Sequence, residues 1–180
     1  MIRWDEKMNK QVFIINGSGG VGKDTFVELV AKEFNLSVMN FSSVDKVKEI
    51  ARIIGWTGGK TEKDRKFLSD LKLLCTDYNN MPFNSMSEKV REFTESDAAM
   101  LFLHIREPEE IEKAKIAFSA KTVLIKRDAV KQITSNMADG NVFNYQYDII
   151  VNNDGDKKYL ENIAQNFVED FITNDIKSIY

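Results

Sequence analysis

Nine consecutive residues, Gly17-Ser18-Gly19-Gly20-Val21-Gly22-Lys23-Asp24-Thr25, carry the clearest chemistry in this chain. They fit the phosphate-binding pattern Gly-x4-Gly-Lys, with Asp24 where a serine or threonine ordinarily follows the lysine. Glycines allow backbone N–H groups to turn inward, a helix N-terminus adds positive potential, and a lysine brings a mobile charge to the outer phosphates. The implied chemistry is the cradling of a polyphosphate. Lys23 is expected on the β- and γ-phosphates. Thr25 either caps the phosphates with its hydroxyl and N–H or is an ordinary helix residue. Asp24 has two readings. It is a carboxylate favoured at a helix start by the dipole, or an oxygen donor near magnesium, a hard ion that keeps several waters. A carboxylate beside a polyphosphate is repulsive without a cation between them, so the second reading predicts nucleotide binding that depends strongly on magnesium.

Other candidates follow strands or sit at helix starts. Arg106 comes after an apolar run and can clamp a phosphate bidentately, or pair with Glu109 or Glu110. Lys126 and Arg127 follow the next apolar run in the same way, and Arg127 is the candidate for the transferring phosphoryl group. Asp45, Lys48 and Arg52 share one face by helical spacing, which suits either a ligand-facing surface or salt pairs on a solvated helix. Lys63, Asp64 and Arg65 form a charged helix start. Asn153, Asp154 and Gly155 either border a base or make a plain turn and N-cap. His104 reads more readily as a structural or water-ordering residue than as a base, because a phosphate acceptor is already ionised. Asp148 precedes an apolar run and suits capping or pairing.

The elements that position these residues follow from periodicity. Strands are predicted at 11–16, 36–41, 99–103, 122–125 and 147–151. Helices are predicted at 22–35, 44–54, 61–78, 85–93 and 107–118. In the helix at 61–78, Leu68, Leu71, Leu74, Cys75 and Tyr78 are expected inward. A closing helix carries the stripe Leu160, Ile163, Ala164, Phe167, Val168 and Phe171. Strands alternating with helices imply an α/β fold with a five-stranded parallel sheet covered on both faces. Ligands of such sheets bind beyond the carboxyl ends of the strands. The strand-poor segments at about 43–96 and 128–146 are then the candidate acceptor-binding excursion and lid of a single domain spanning 1–180.

At 180 residues with a net charge of −3, the chain offers no general nucleic-acid or anionic-membrane surface, so positive potential must be local. Residues 1–10 lack the apolar core of a signal peptide, and no apolar run is long enough for a membrane span. The single Cys75 has no metal-ligand neighbours and fits a reducing cytoplasm. No Asn-Lys-x-Asp base reader of guanine-nucleotide switches is present.

Taken in order, Gly22-Lys23-Asp24-Thr25, Phe41-Ser42-Ser43-Val44-Asp45-Lys46-Val47-Lys48-Glu49, Lys63 to Leu71, Leu103-His104-Ile105-Arg106-Glu107-Pro108, and Asn152-Asn153-Asp154-Gly155 give the chain a family likeness. It resembles the phage-type deoxynucleoside monophosphate kinases, within the P-loop nucleoside monophosphate kinase superfamily (adenylate kinase-like). The resemblance implies a three-layer P-loop kinase fold and transfer of the γ-phosphoryl group of ATP, with Mg2+, to a (deoxy)nucleoside monophosphate. By the same likeness, residues 17–25 and 153–155 would hold ATP, Asp24 the metal, and Asp45, Lys48, Arg52 and Arg65 the acceptor, while Lys23, Arg106 and Arg127 would neutralise charge in transfer. The chain departs from the family in having His104 where an acidic residue is common, and in a lid segment carrying little basic charge beyond Lys131. A kinase acting on a small non-nucleotide metabolite, or a nucleotide-binding regulatory module with weakened catalysis, are the alternatives.

Overall fold

Strand β1, Gln11–Asn16, is apolar on both faces, and Phe13, Ile14 and Ile15 are fully buried. Such a strand needs cover on both sides and neighbours on both edges. The computed structural model, which describes residues 10–33, 36–130, 142–174 and 177–180, supplies both. The five strands are β1, β2 (Val38–Ser42), β3 (Met100–His104), β4 (Lys121–Lys126) and β5 (Ile149–Asn152). They form one all-parallel sheet in the order β2-β3-β1-β4-β5. Register pairs Ile15 with His104 and Asn16 with Leu124, which brings the ends of β1, β3 and β4 to one edge.

Strand alternation divides the core in two. Phe13, Ile15, Met100 and Phe102 pack with α1 (Lys23–Lys32) and α6 (Lys157–Ile172). Phe13 stacks on Phe102 at 5.3 Å between ring centroids and meets Phe167 of α6 at 5.2 Å. On the other face, Val12, Ile14, Leu101 and Leu103 pack with α4 (Met81–Glu95) and α5 (Pro108–Phe118). The stripe expected on the closing helix is buried throughout, at Leu160, Ile163, Ala164, Phe167, Val168 and Phe171.

Between β2 and β3 the chain makes its helical excursion, through α2 (Asp45–Ile53), α3 (Glu62–Asn79) and α4. Thr61 starts α3 with a capping box, its hydroxyl accepting from the Asp64 N–H while Asp64 accepts from the Thr61 N–H. Here one expectation fails. Leu74 and Tyr78 are exposed and Cys75 is half-buried, while the buried residue of α3 is Lys72. The period is right, but α3 packs chiefly against α2 and α4, so no sheet surface draws that apolar stripe inward. Most of the lid expected at about 128–146, with Lys131, lies outside the described residues. None of the helices among the described residues is long and apolar enough to cross a membrane.

Asp148 pairs, as its position before β5 suggested. Burial pushes its carboxyl up, but the Lys115 ammonium at 2.7 Å and the Thr122 N–H and hydroxyl at 2.9 Å each bring it below its ordinary value. A carboxyl that binds its proton less tightly when folded stabilises the fold above its ordinary value of 3.8, and that stability is lost as pH falls through the folded value. Asp148→Asn is expected to cost about 1–2 kcal/mol at pH 7, the half-exposed lysine pair adding little to the hydrogen bonds. Urea melts across pH check this: the gap from the parent protein should narrow below about pH 4, and a constant gap would remove the ionic contribution.

Candidate functional site

The end of β1 must pass into α1 within a few residues, and two glycines make that passage possible. Gly17 has φ +148°, and a Cβ there would stand 2.3 Å from the Ile125 carbonyl oxygen at the end of β4. Gly22, the N-cap of α1, has φ +97°, and a Cβ would stand 2.6 Å from the Asn153 amide. Any side chain at either place would collide and strain the backbone. The turn is also tied from outside. Asn16, fully buried, accepts from the Gly17 N–H at 2.8 Å and donates to the Arg106 carbonyl at 3.2 Å and the Tyr147 hydroxyl at 2.7 Å. Asn153 donates to the Val21 carbonyl at 2.8 Å, locking the loop after β5 onto the glycine loop.

Lys23 folds its ammonium over its own loop, donating to the carbonyls of Gly17 and, at 2.9 Å, Ser18. The Ser18 hydroxyl oxygen is buried without a hydrogen-bond partner among the described residues. Asp24 stands in the first turn of α1 with its side chain 84% exposed, 3.9 Å from His104 Nδ1. No cluster of metal-ligating side chains occurs among the described residues.

A cavity of about 660 Å³ opens beside the loop at the carboxyl edge of the sheet. It brings together several of the residues singled out in the sequence: Lys23 and Asp24 from the loop and α1, Asp45 and Lys48 from α2, Arg65 from α3, and Arg106 just after β3. Asp45 accepts from the Ser42 N–H at 2.8 Å and meets Lys48 at 3.4 Å, so the pairing reading and the cavity-facing reading are both realised there. Arg52 is exposed and is not part of the wall; its guanidinium covers the Trp56 ring, 5.6 Å from the centroid.

Arg127 also lies outside this wall. Its guanidinium donates to the Gly155 carbonyl at 3.4 Å, and its buried Nε has no hydrogen-bond partner among the described residues. Asp154 accepts from the Asp128 N–H at 2.7 Å, and the N-cap of α6 is Asp156. Arg127, Asn153, Asp154 and Gly155 therefore form one structural unit across the ends of β4 and β5, on the far side of the glycine loop from Arg106.

Sequence reasoning missed several residues of the wall. Lys72 of α3 is bonded to Glu107 and Glu110 at 2.7 Å each. Both carboxyls are pushed up by burial. The ammonium and the Glu110 carboxyl hold Glu107 below its ordinary value, whereas Glu110, beside the Glu107 charge, ends above it. Lys72 lies seven residues, two turns, beyond Arg65, and that spacing was the available signal. Trp56 lines the cavity and donates to Asp64 at 3.1 Å. Asn40 sits 2.8 Å from His104 Nε2. Burial, with Lys23 and Lys48 nearby, lowers the His104 ring to about 4 against the opposing pull of Asp24 and Asp45. Since the amide oxygen accepts, Nε2 carries the proton and Nδ1 presents a lone pair toward Asp24.

The chain matches no family model and no curated protein by sequence. Its structure is similar to a sugar kinase from Janibacter sp. HTCC2649, with TM-score 0.51 and 14% identity over 94% of this chain and 99% of that one. It is also similar to a gluconokinase from Sinorhizobium meliloti 1021, with TM-score 0.50 and 10% identity over 93% of this chain and 96% of the other. A shikimate kinase from Aquifex aeolicus aligns with TM-score 0.48 and 13% identity over 88% and 96% of the two chains. The chain has the α/β fold of P-loop kinase structures.

His104 is the chain's single histidine, so its ring can be followed without assignment. Proton–nitrogen correlation spectra should show a neutral imidazole with hydrogen on Nε2 at pH 7, protonated only as pH falls toward about 4. A ring titrating near 6.5, the ordinary value, would contradict the buried, Asn40-bonded geometry.

Proposed function

We propose that this chain is a magnesium-dependent kinase that transfers the γ-phosphoryl group of ATP to a (deoxy)nucleoside monophosphate. The observation that carries this reading is the shared cavity, in which Lys23 of the glycine loop and Lys48, Arg65 and Arg106 of three other elements face one space. A donor phosphate site and a basic acceptor site that share a cavity suit transfer between two phosphorylated molecules. Aromatic Trp56 and Phe41 in the same wall suit a base.

The residues present fit the donor. The loop keeps its close packing on Ile125 and Asn153 only because Gly17 and Gly22 carry no Cβ, and the Ser18 hydroxyl is a buried donor still to be satisfied. Magnesium, arriving with the nucleotide, would neutralise charge on the β- and γ-phosphates, with Asp24 the carboxylate of the loop able to meet its hydration shell. Lys23 would leave its loop carbonyls for the phosphates and follow the transferring group. Arg106 would orient the acceptor phosphate, whose oxygen forms the new bond to γ-phosphorus as the bridging bond to ADP breaks. No side-chain base is needed, in keeping with a low-basicity His104. Arg127, set on the Gly155 carbonyl, serves the adenine side of the donor in this reading.

A coupled assay of ADP release across nucleoside monophosphates, deoxynucleotides and small hydroxylated or phosphorylated metabolites tests the proposal. Turnover is expected with a nucleoside monophosphate and should fall at least about 10³-fold in Lys23→Ala. Arg65→Ala and Arg106→Ala should raise the acceptor KM about tenfold or more at unchanged ATP affinity. ATP bound without turnover of any acceptor would make the chain a binding module, and turnover confined to a hydroxylated metabolite would replace the acceptor class.

Two further variants probe the donor site. Asp24→Ser should weaken the dependence of ATP binding on magnesium; binding that ignores magnesium in both proteins would remove Asp24 from the metal. Arg127→Ala should raise the Kd for ATP more than it lowers turnover at saturation, and the opposite split would return Arg127 to the transferring phosphoryl.

A further inference from the structure

Lys72 is the buried residue of α3, and it is charged. An ammonium taken out of water is costly unless partners compensate it, and Lys72 Nζ has two, Glu107 and Glu110 at 2.7 Å each. Both carboxylates belong to the start of α5, Glu107 as its N-cap. Glu107 follows Arg106 directly in the chain, and Arg106, Glu107 and Lys72 all line the cavity. On α3, Arg65, Ser69 and Lys72 share the face turned to that space.

Although it lines a phosphate-facing wall, Lys72 has its charge committed to carboxylates. Without it, Glu107 would present an uncompensated negative charge next to Arg106, competing with any anionic ligand for the guanidinium and repelling it. We infer that Lys72 is a positioning residue for the acceptor's anionic group: it binds no ligand itself, but holds Glu107 away from Arg106 and latches the acceptor helix α3 to the start of α5. This rests on the cavity being the acceptor site. It assigns a function to a lysine whose position suggests a phosphate ligand and whose geometry gives it another task.

Two variants separate these roles. Lys72→Met should raise the acceptor KM about tenfold, one unscreened charge at the cavity wall, with the ATP KM unchanged. Adding Glu107→Gln and Glu110→Gln to Lys72→Met removes the carboxylates that need a partner and should bring the acceptor KM back to within about threefold of the parent. A loss of packing alone would not be rescued in this way. If Lys72→Met does not fold, the triple variant decides by itself: an acceptor KM near the parent supports the inference, and one about tenfold higher shows that Lys72 binds the acceptor directly and overturns it. An unchanged KM in folded Lys72→Met also overturns it.

The same order is read without turnover by calorimetric titration of inorganic phosphate into each protein saturated with a non-hydrolysable ATP analogue. Parent and triple variant should bind phosphate alike and Lys72→Met more weakly; any other order, or no binding to the parent, refutes the inference. Silence of the parent protein in the ADP-release assay with this binding order intact would instead refute phosphoryl transfer alone.

Discussion

Everything at this site depends on one constraint: the chain must leave the centre of a parallel sheet and enter a helix with no room for a side chain at the turn. β1 lies between β3 and β4; β1 continues into α1 on one face of the sheet and β3 into α5 on the other, which opens a crevice at the carboxyl edge. The Ile125 carbonyl limits the turn from below and the Asn153 amide limits it from beside α1. Glycine at 17 and 22 is the solution that keeps both contacts. Once the turn is fixed, Gly19, Gly20, Lys23 and Asp24 line the crevice, and the neighbouring strand ends bring in the remaining groups.

Asn16 shows how tightly these parts are joined. Its amide reaches the glycine loop, the carbonyl of the cavity-lining Arg106 and Tyr147 at once. A movement of any one of these would break a bond in a buried position, where an unsatisfied polar group is costly. The glycine loop and the cavity wall therefore share a rigid reference. The segment 142–147 hangs on the same reference through the Tyr147 hydroxyl, which donates to the Val142 carbonyl.

Legibility in the sequence followed the range of the interactions. The glycine loop was legible because its chemistry lies within nine consecutive residues, and the closing helix because its stripe faces a sheet. α3 was legible as a helix but not in its orientation. Leu71, Leu74 and Tyr78 repeat at helical spacing as well as any core stripe, yet Leu74 and Tyr78 are exposed. The residue α3 turns inward is Lys72, between its packing on α2 and α4, and it meets Glu107 and Glu110 more than thirty residues away in sequence. Periodicity reports that a helix has a face; only the partner decides which face is buried. The same limit separated Arg127 from Arg106. Both follow a strand, but β3 and β4 lie on opposite sides of β1, so the two guanidiniums serve different sides of the loop.

The charge pattern of the cavity follows from this geometry. A chain of net charge −3 nonetheless gathers cations from separate elements around one cavity, which makes the positive potential local. Carboxylates in the same wall would cancel that potential if they were unpaired. Asp45 is held by the Ser42 N–H and Lys48, and Glu107 by Lys72. Asp24 stands apart: exposed, with a 3.9 Å approach to a histidine that burial keeps neutral at pH 7. Two of the three acidic groups in the wall are thus compensated by the protein itself. The third, Asp24, stands where the loop departs from its usual serine or threonine, and in the proposed reading the cation that comes with the nucleotide compensates it.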